Sequence, residues 1–184
     1  MRPGRPQLLA LALIGAGLVI LGVAVWVLLP SLTAASQEEI SAIPVQVDYA
    51  APDLSLTDLA GNPVSLNDYR GSVVLVNNWA TWCPPCKAEM PALQAYYEAH
   101  QGQNFTIIAI EAGQPASEVA DFVRRYGLTF PVWTDPTLKA TVAFRNPGLP
   151  SSYVIDASGT VRLAWAGAIN LDKLEEHVTP LLEE

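Results

Sequence analysis

Ser72 to Trp79 reads SVVLVNNW, a continuous apolar run that turns polar only at Asn77 and Asn78. A strand that is apolar on both sides must be covered on both faces, so it belongs in the middle of a sheet. Pro84 to His100 follows with Met90, Leu93 and Tyr97 among apolar residues at three- and four-residue spacings, the period of a helix. Phe105 to Ile110 (FTIIAI) is a second buried strand. Strand, helix and strand in that order imply parallel pairing with a right-handed crossover.

The remaining segments add to this core. Leu54 to Leu59 alternates, Gly61-Asn62-Pro63 marks a turn and Val64 to Leu66 resumes, which is a hairpin signal. Ser117 to Tyr126 reads as a helix with Ser117 as N-cap and Gly127 just past its end. Val132 to Thr134 is a short strand and Leu138 to Phe144 a short helix. Ser152 to Asp156 and Thr160 to Ala166 form a hairpin about Ala157-Ser158-Gly159, and Leu171 to Leu182 closes the chain as an amphipathic helix. The order predicts a mixed sheet with helices on both faces.

Ahead of this domain, Leu8 to Leu29 is 22 residues without a charge. As a helix it would rise roughly 33 Å, enough for a hydrocarbon core of ~30 Å. Arg2 and Arg5 precede it, whereas Glu38 and Glu39 follow and the next basic residue is Arg70. Basic residues stay on the cytoplasmic side, so everything after Pro30 is expected outside. A cleaved signal peptide, with Thr33-Ala34-Ala35 as its site, is the other reading; the length favours an uncleaved anchor. The expected organisation is a cytoplasmic N-terminus and transmembrane anchor over 1–30, a linker over 31–50 and the folded domain over 51–184. All 18 acidic side chains lie after Pro30 against 8 basic ones, a formal −10 for that part. Such a surface field argues against binding nucleic acid.

Cys83 and Cys86 are the only cysteines. At a strand-to-helix junction they could form a reversible disulfide, hold part of a metal site or sit as inert thiols. A structural zinc takes about four ligands. His100 and His177, the only histidines, stand near the far ends of different helices, so no metal is expected, although a copper role for the pair stays open. A helix N-terminus favours a thiolate. Cys83 is therefore expected as the nucleophile and the more exposed sulfur, with Cys86, one turn in, resolving its mixed disulfide. Pro84 and Pro85 suit the first helical positions and remove two amide donors from the Cys83 sulfur, which makes the pair more reducing. Glu89, three residues past Cys86, could relay protons.

The motif WATWCPPCKAEMP, preceded by APDLSLTDLAGNPVSL and followed by Gly148-Leu149-Pro150 before SSYVID, resembles the membrane-anchored thioredoxin-like proteins of the TlpA/ResA type. The resemblance runs from about Ala51 to the C-terminus. It implies an α/β thioredoxin-like fold with a mixed central sheet and an added N-terminal β-hairpin. It implies an extracytoplasmic thiol–disulfide oxidoreductase that reduces disulfides in exported proteins, with apocytochrome c as a target. Electrons would return through a membrane thiol–disulfide donor, and no cofactor is needed beyond the Cys83–Cys86 disulfide. The resemblance also implies a cis Pro150 facing the pair, with Leu149 backbone holding an incoming peptide; Trp82, Pro84, Pro85, Leu149 and Pro150 are the expected substrate contacts. Glu89 falls where these proteins carry an active-site glutamate. Asn77 stands where many thioredoxins have a buried Asp, Asn78 replaces a usual Phe, and Ser151 a common Thr. Glu111, after the second strand, is a specificity candidate. A dithiol oxidase and a copper or haem chaperone are the rival readings. Peroxiredoxins share the APD-type segment but use one lone cysteine.

Overall fold

The structure, a computed structural model, describes residues 17–19, 21–23, 25 and 41–183. The expected anchor at 8–29 and the first ten residues of the expected linker fall largely outside them. Among the described residues no helix is long and apolar enough to cross a membrane. The chain divides into two units, Met1–Glu39 and Ile40–Glu184, and the second carries the fold.

Eight strands form one sheet: β1 (Val45–Ala50), β2 (Ser55–Asp58), β3 (Pro63–Ser65), β4 (Val73–Trp79), β5 (Phe105–Ala112), β6 (Val132–Asp135), β7 (Ser151–Ile155) and β8 (Thr160–Ala166). Their order is β1-β8-β7-β4-β5-β6-β2-β3. The β4–β5 and β5–β6 pairs are parallel, and every other neighbouring pair is antiparallel. The helices of this unit are α1 (Pro84–Ala99), α2 (Ala116–Tyr126), α3 (Lys139–Ala143) and α4 (Leu171–His177).

Every residue of β4 is buried, as its apolar run requires. Leu75 and Trp79 point to one face, with Ile107 of β5, under Met90 and Leu93 of α1, Phe122 of α2 and Leu174 of α4. Val74 and Val76 point to the other, with Ile108, Trp133 and Tyr153, under Ala140 of α3, Phe144 and Leu66. The helices cover both faces, though three of the four lie on the first. Each fully buried aliphatic or aromatic side chain contributes about 1.5–3 kcal/mol, so these two layers hold β4, and the loop that follows it, in place.

Three expectations need correction. The stretch read as a linker over 31–50 contains β1, which pairs with β8 from Val45 opposite Ala164 to Ala50 opposite Thr160. Its side chains are mostly exposed, so it carries no continuous apolar run; backbone pairing recruits it, helped by Val47 against the core and by Asp48 with Arg162 at 3.2 Å. The closing helix stops at His177 and gives way to a 3-10 turn, Thr179–Leu182. Pro180 has no N–H for the carbonyl of Glu176 and its ring would clash there. Helix α2 starts at Ala116 with Pro115, not Ser117, in the N-cap position and no side-chain cap; at its other end Gly127 takes φ 65°, the left-handed cap that glycine tolerates.

Candidate active site

Strand β4 ends at Trp79, and Cys83 is the N-cap of α1. Cys83 and Cys86 are joined in a disulfide. Pro84 and Pro85 fill the first helical positions and have no N–H, so the first amide available to the Cys83 sulfur is that of Cys86, which donates to Sγ at 3.3 Å. The thiolate expected at Cys83 thus has one backbone donor in addition to the positive end of the helix.

The sulfurs are less accessible than the sequence suggested. Cys83 is 3 % exposed and Cys86 0 %. The ranking of the two is as expected, but Cys83 is buried. Its sulfur is turned back onto the helix by the bond to Cys86, while Trp82, Pro84 and Pro85 take the solvent side. Trp82 is 61 % exposed, a large aromatic surface beside the pair.

The Leu149–Pro150 peptide is cis. Strand β7 begins at the next residue, with Ser151 opposite Asn78. Continuing that register sets Pro150 opposite Trp79, at the end of the sheet from which the Cys83 loop leaves. Leu149 packs against the same cluster that holds both cysteines. The Pro150 carbonyl accepts from Gly167 N–H at 2.9 Å, and so is not free to pair with a peptide.

Glu89 lies behind the dithiol, 1 % exposed. Its Oε1 accepts from Asn77 Nδ2 at 2.8 Å and its Oε2 from Ile169 N–H at 3.2 Å. Asn77 Nδ2 also donates to Ser152 Oγ at 3.0 Å, which leaves its own Oδ1 without a partner. Burial pushes the Glu89 carboxyl up to about 8; the bonds from Asn77 and Ile169 only partly offset it. The asparagine in the place of the usual Asp is therefore the hydrogen-bond partner of this carboxyl. Asn78, on the opposite face, is buried with both amide atoms unpaired, as is the hydroxyl of its neighbour Ser151.

Glu111 is not in a loop, as the sequence reading had it, but in β5, fully buried and level with Trp79. Its Oε1 accepts from Thr81 N–H at 3.3 Å and its Oε2 from Gln114 N–H at 2.9 Å. Burial raises its pKa first, those two bonds lower it, and the nearby Glu118 and Asp135 raise it further. Sequence reasoning missed the contact to the cysteine loop; its one signal was a charge at the end of an apolar strand. Among the described residues no group of three or more His, Cys, Asp or Glu is placed to hold a metal ion. The broad groove lined by Pro44, Asp48, Arg162, Glu176 and Leu181 contains none of these residues.

A disulfide at the N-terminus of the helix that follows a central strand, with a cis proline at the same end of the sheet, is the arrangement of a thioredoxin-like dithiol site, and comparison with known proteins agrees. Residues 47–164 match the AhpC/TSA family. The chain belongs to that family. As an AhpC/TSA protein it is 38 % identical over 134 residues to thiol-disulfide oxidoreductase ResA of Geobacillus kaustophilus, across 73 % of this chain and 77 % of the relative. It is 35 % identical, over 73 % of this chain and 78 % of the relative, to ResA of Bacillus anthracis. Among solved structures it is similar to a thiol:disulfide interchange protein of the thioredoxin family from Chlorobium tepidum, with TM-score 0.67 and 28 % identity, covering 75 % of this chain and 99 % of the other. This AhpC/TSA protein is a thioredoxin-like thiol–disulfide oxidoreductase.

Proposed function

We propose that the protein is a membrane-tethered reductase of disulfides in exported proteins, anchored by residues 8–29 with its domain outside the cytoplasm. The observation that carries the reading is the Cys83–Cys86 pair at the start of α1 with a buried, protonatable Glu89 behind it. The reduced Cys83 thiolate attacks one sulfur of a target disulfide. A mixed disulfide forms on Cys83 and the first target thiolate leaves. The Cys86 thiol gives up its proton and attacks Cys83 Sγ, which releases the second target thiolate and leaves Cys83 and Cys86 bonded. Two electrons pass to the target.

Cys86 is fully buried, so its proton must go to a group inside the protein. Glu89, three residues along the same helix, is that group: with its carboxyl near 8, about a tenth is ionised at pH 7 and able to accept. The exposed Trp82, Pro84 and Pro85, with the half-buried Leu149, form the docking surface for the target, and the buried Pro150 lies beneath it. The reducing direction is supported by the two prolines, which leave the Cys83 thiolate only one nearby amide. A membrane thiol–disulfide donor recharges the pair, because the exterior lacks a cytosolic-type reducing pool. Apocytochrome c, whose haem-attachment cysteines must be free thiols, is the proposed target.

The test is trapping in the native host with Cys86→Ser. A mixed disulfide between Cys83 and an apocytochrome c is expected; capture of other exported proteins only would overturn the target. A redox titration tests the direction. A midpoint at or below ~−250 mV is expected, and one near ~−120 mV would mark an oxidase instead.

A further inference from the structure

Glu111 is a buried acid that the exchange steps do not use. Its two oxygens are both occupied, and both by backbone N–H groups of segments that β5 does not contain. One is Thr81, two residues before Cys83 in the loop that leaves β4. The other is Gln114, in the turn just before α2. At its far end the Ala80 to Cys83 loop is tied to α1 through the disulfide and the Lys87 N–H to Cys83 carbonyl bond at 3.2 Å, and within the loop one turn bond runs from Cys83 N–H to the Ala80 carbonyl at 3.1 Å. It carries the exposed Trp82 and ends at the nucleophile. Both amides are donors, so only a side chain offering two acceptors joins them from one position. A carboxylate does this; a glutamine of the same length does not.

We propose that Glu111 is a positioning residue for thiol–disulfide exchange: its carboxylate ties the backbone of the loop presenting Trp82 and Cys83 to the turn that opens α2. It does not touch the reacting sulfurs. It sets where the Trp82 surface and the Cys83 sulfur stand when a protein disulfide arrives, and couples that placement to the α2 segment. The inference rests on dithiol exchange at Cys83, but not on the direction or the physiological target proposed above.

The test compares full-length wild type with E111Q in detergent, using insulin disulfides as substrate and dithiothreitol as electron donor. Insulin reduction reads exchange whatever the natural target is, so failure of the apocytochrome c reading leaves this test intact. Expected for E111Q is a kcat/KM lowered about tenfold, with a melting temperature of the oxidised form lowered by only a few degrees, as one unpaired buried N–H costs about 1–3 kcal/mol, and an unchanged plateau rate for alkylation of Cys83 by iodoacetamide at high pH. The small reagent needs no docking surface, so a lost placement spares it. A role through charge alone gives the opposite sign: removing a negative group beside the loop lowers the Cys83 thiol pKa, moves the alkylation profile to lower pH and speeds insulin reduction at pH 7. That result, or a wild-type kcat/KM in E111Q, overturns the proposal. Should E111Q not fold, hydrogen exchange on the wild type decides: a protected Thr81 amide supports the tie and an unprotected one refutes it.

Discussion

Replacing Glu89 by Gln tests the electrostatics of the site in the fully oxidised protein, where neither thiol titrates. The ordinary glutamate value of 4.5 rises to about 8 in the fold, and burial is the cause. Between those values the folded protein holds a proton that the unfolded chain has shed. The unfolded state binds fewer protons, so stability falls as pH rises. The contribution is fully present below about pH 4.5 and is lost as pH passes 8. At about 1.4 kcal/mol for each unit of pH, the loss from pH 5 to pH 8 is roughly 3–4 kcal/mol. Gln has no such slope. The neighbours can also accept it: Asn77 Oδ1 has no partner, so a rotated Asn77 amide would take a bond from the new NH2 while the Gln oxygen keeps Ile169 N–H. Urea unfolding at pH 5, 6, 7 and 8 reads the difference. With m near ~2 kcal/mol/M, the wild-type midpoint should fall by about 1.5 M relative to Glu89→Gln across that range. Parallel curves, with a difference constant to within ~0.5 kcal/mol, would refute a buried, proton-holding Glu89.

The other expectations concern single contacts. Cys86→Ser should accumulate a mixed disulfide on Cys83 that Cys83→Ser does not form, read on a non-reducing gel. Leu93→Ala empties a fully buried position between α1 and the sheet and should cost about 2–5 kcal/mol in urea unfolding. Asp135→Ala removes the carboxylate that receives Lys139 N–H at 2.9 Å and Ala140 N–H at 2.7 Å, and should cost about 1–2 kcal/mol by the same assay. Gly127→Ala, at a φ of 65° with open space around it, should cost about 1 kcal/mol from backbone strain alone.

The parts of this protein that sequence exposes are those whose cause is local. The burial of β4 on both faces is written in SVVLVNNW, because a pleated strand shows each face in alternate residues. The start of α1 is written in two prolines, and the dithiol in two cysteines a helical turn apart. Strand β1 is an edge held largely by backbone bonds to β8, and its only sequence signal is the short alternation of Val45, Val47 and Tyr49 with polar residues. The end of α4 was readable in Pro180 and was overridden by the amphipathic pattern around it. Cysteine exposure was misjudged because the covering side chains depend on how the loop folds back, which spacing does not state.

The two acids beside the dithiol show where local reading stops. Glu89 takes its bonds from Asn77 and from Ile169, 80 residues away, and Glu111 takes one from Thr81 across 30 residues. No spacing rule reaches that far, so the sequence presents each as a charge at an inward position of a buried element. That anomaly is itself informative: a carboxylate is not kept at such a position unless donors meet it there. In both cases backbone N–H groups do so, at Ile169 for one and at Thr81 and Gln114 for the other. The consequence for the chemistry differs with the second partner. Glu89 has a side-chain amide, that of Asn77, as its second partner, and in the proposed exchange it is the acid that takes the Cys86 proton. Glu111 is held by two backbone donors on separate segments, and on that difference the proposals rest, the proton for the first acid and the loop for the second.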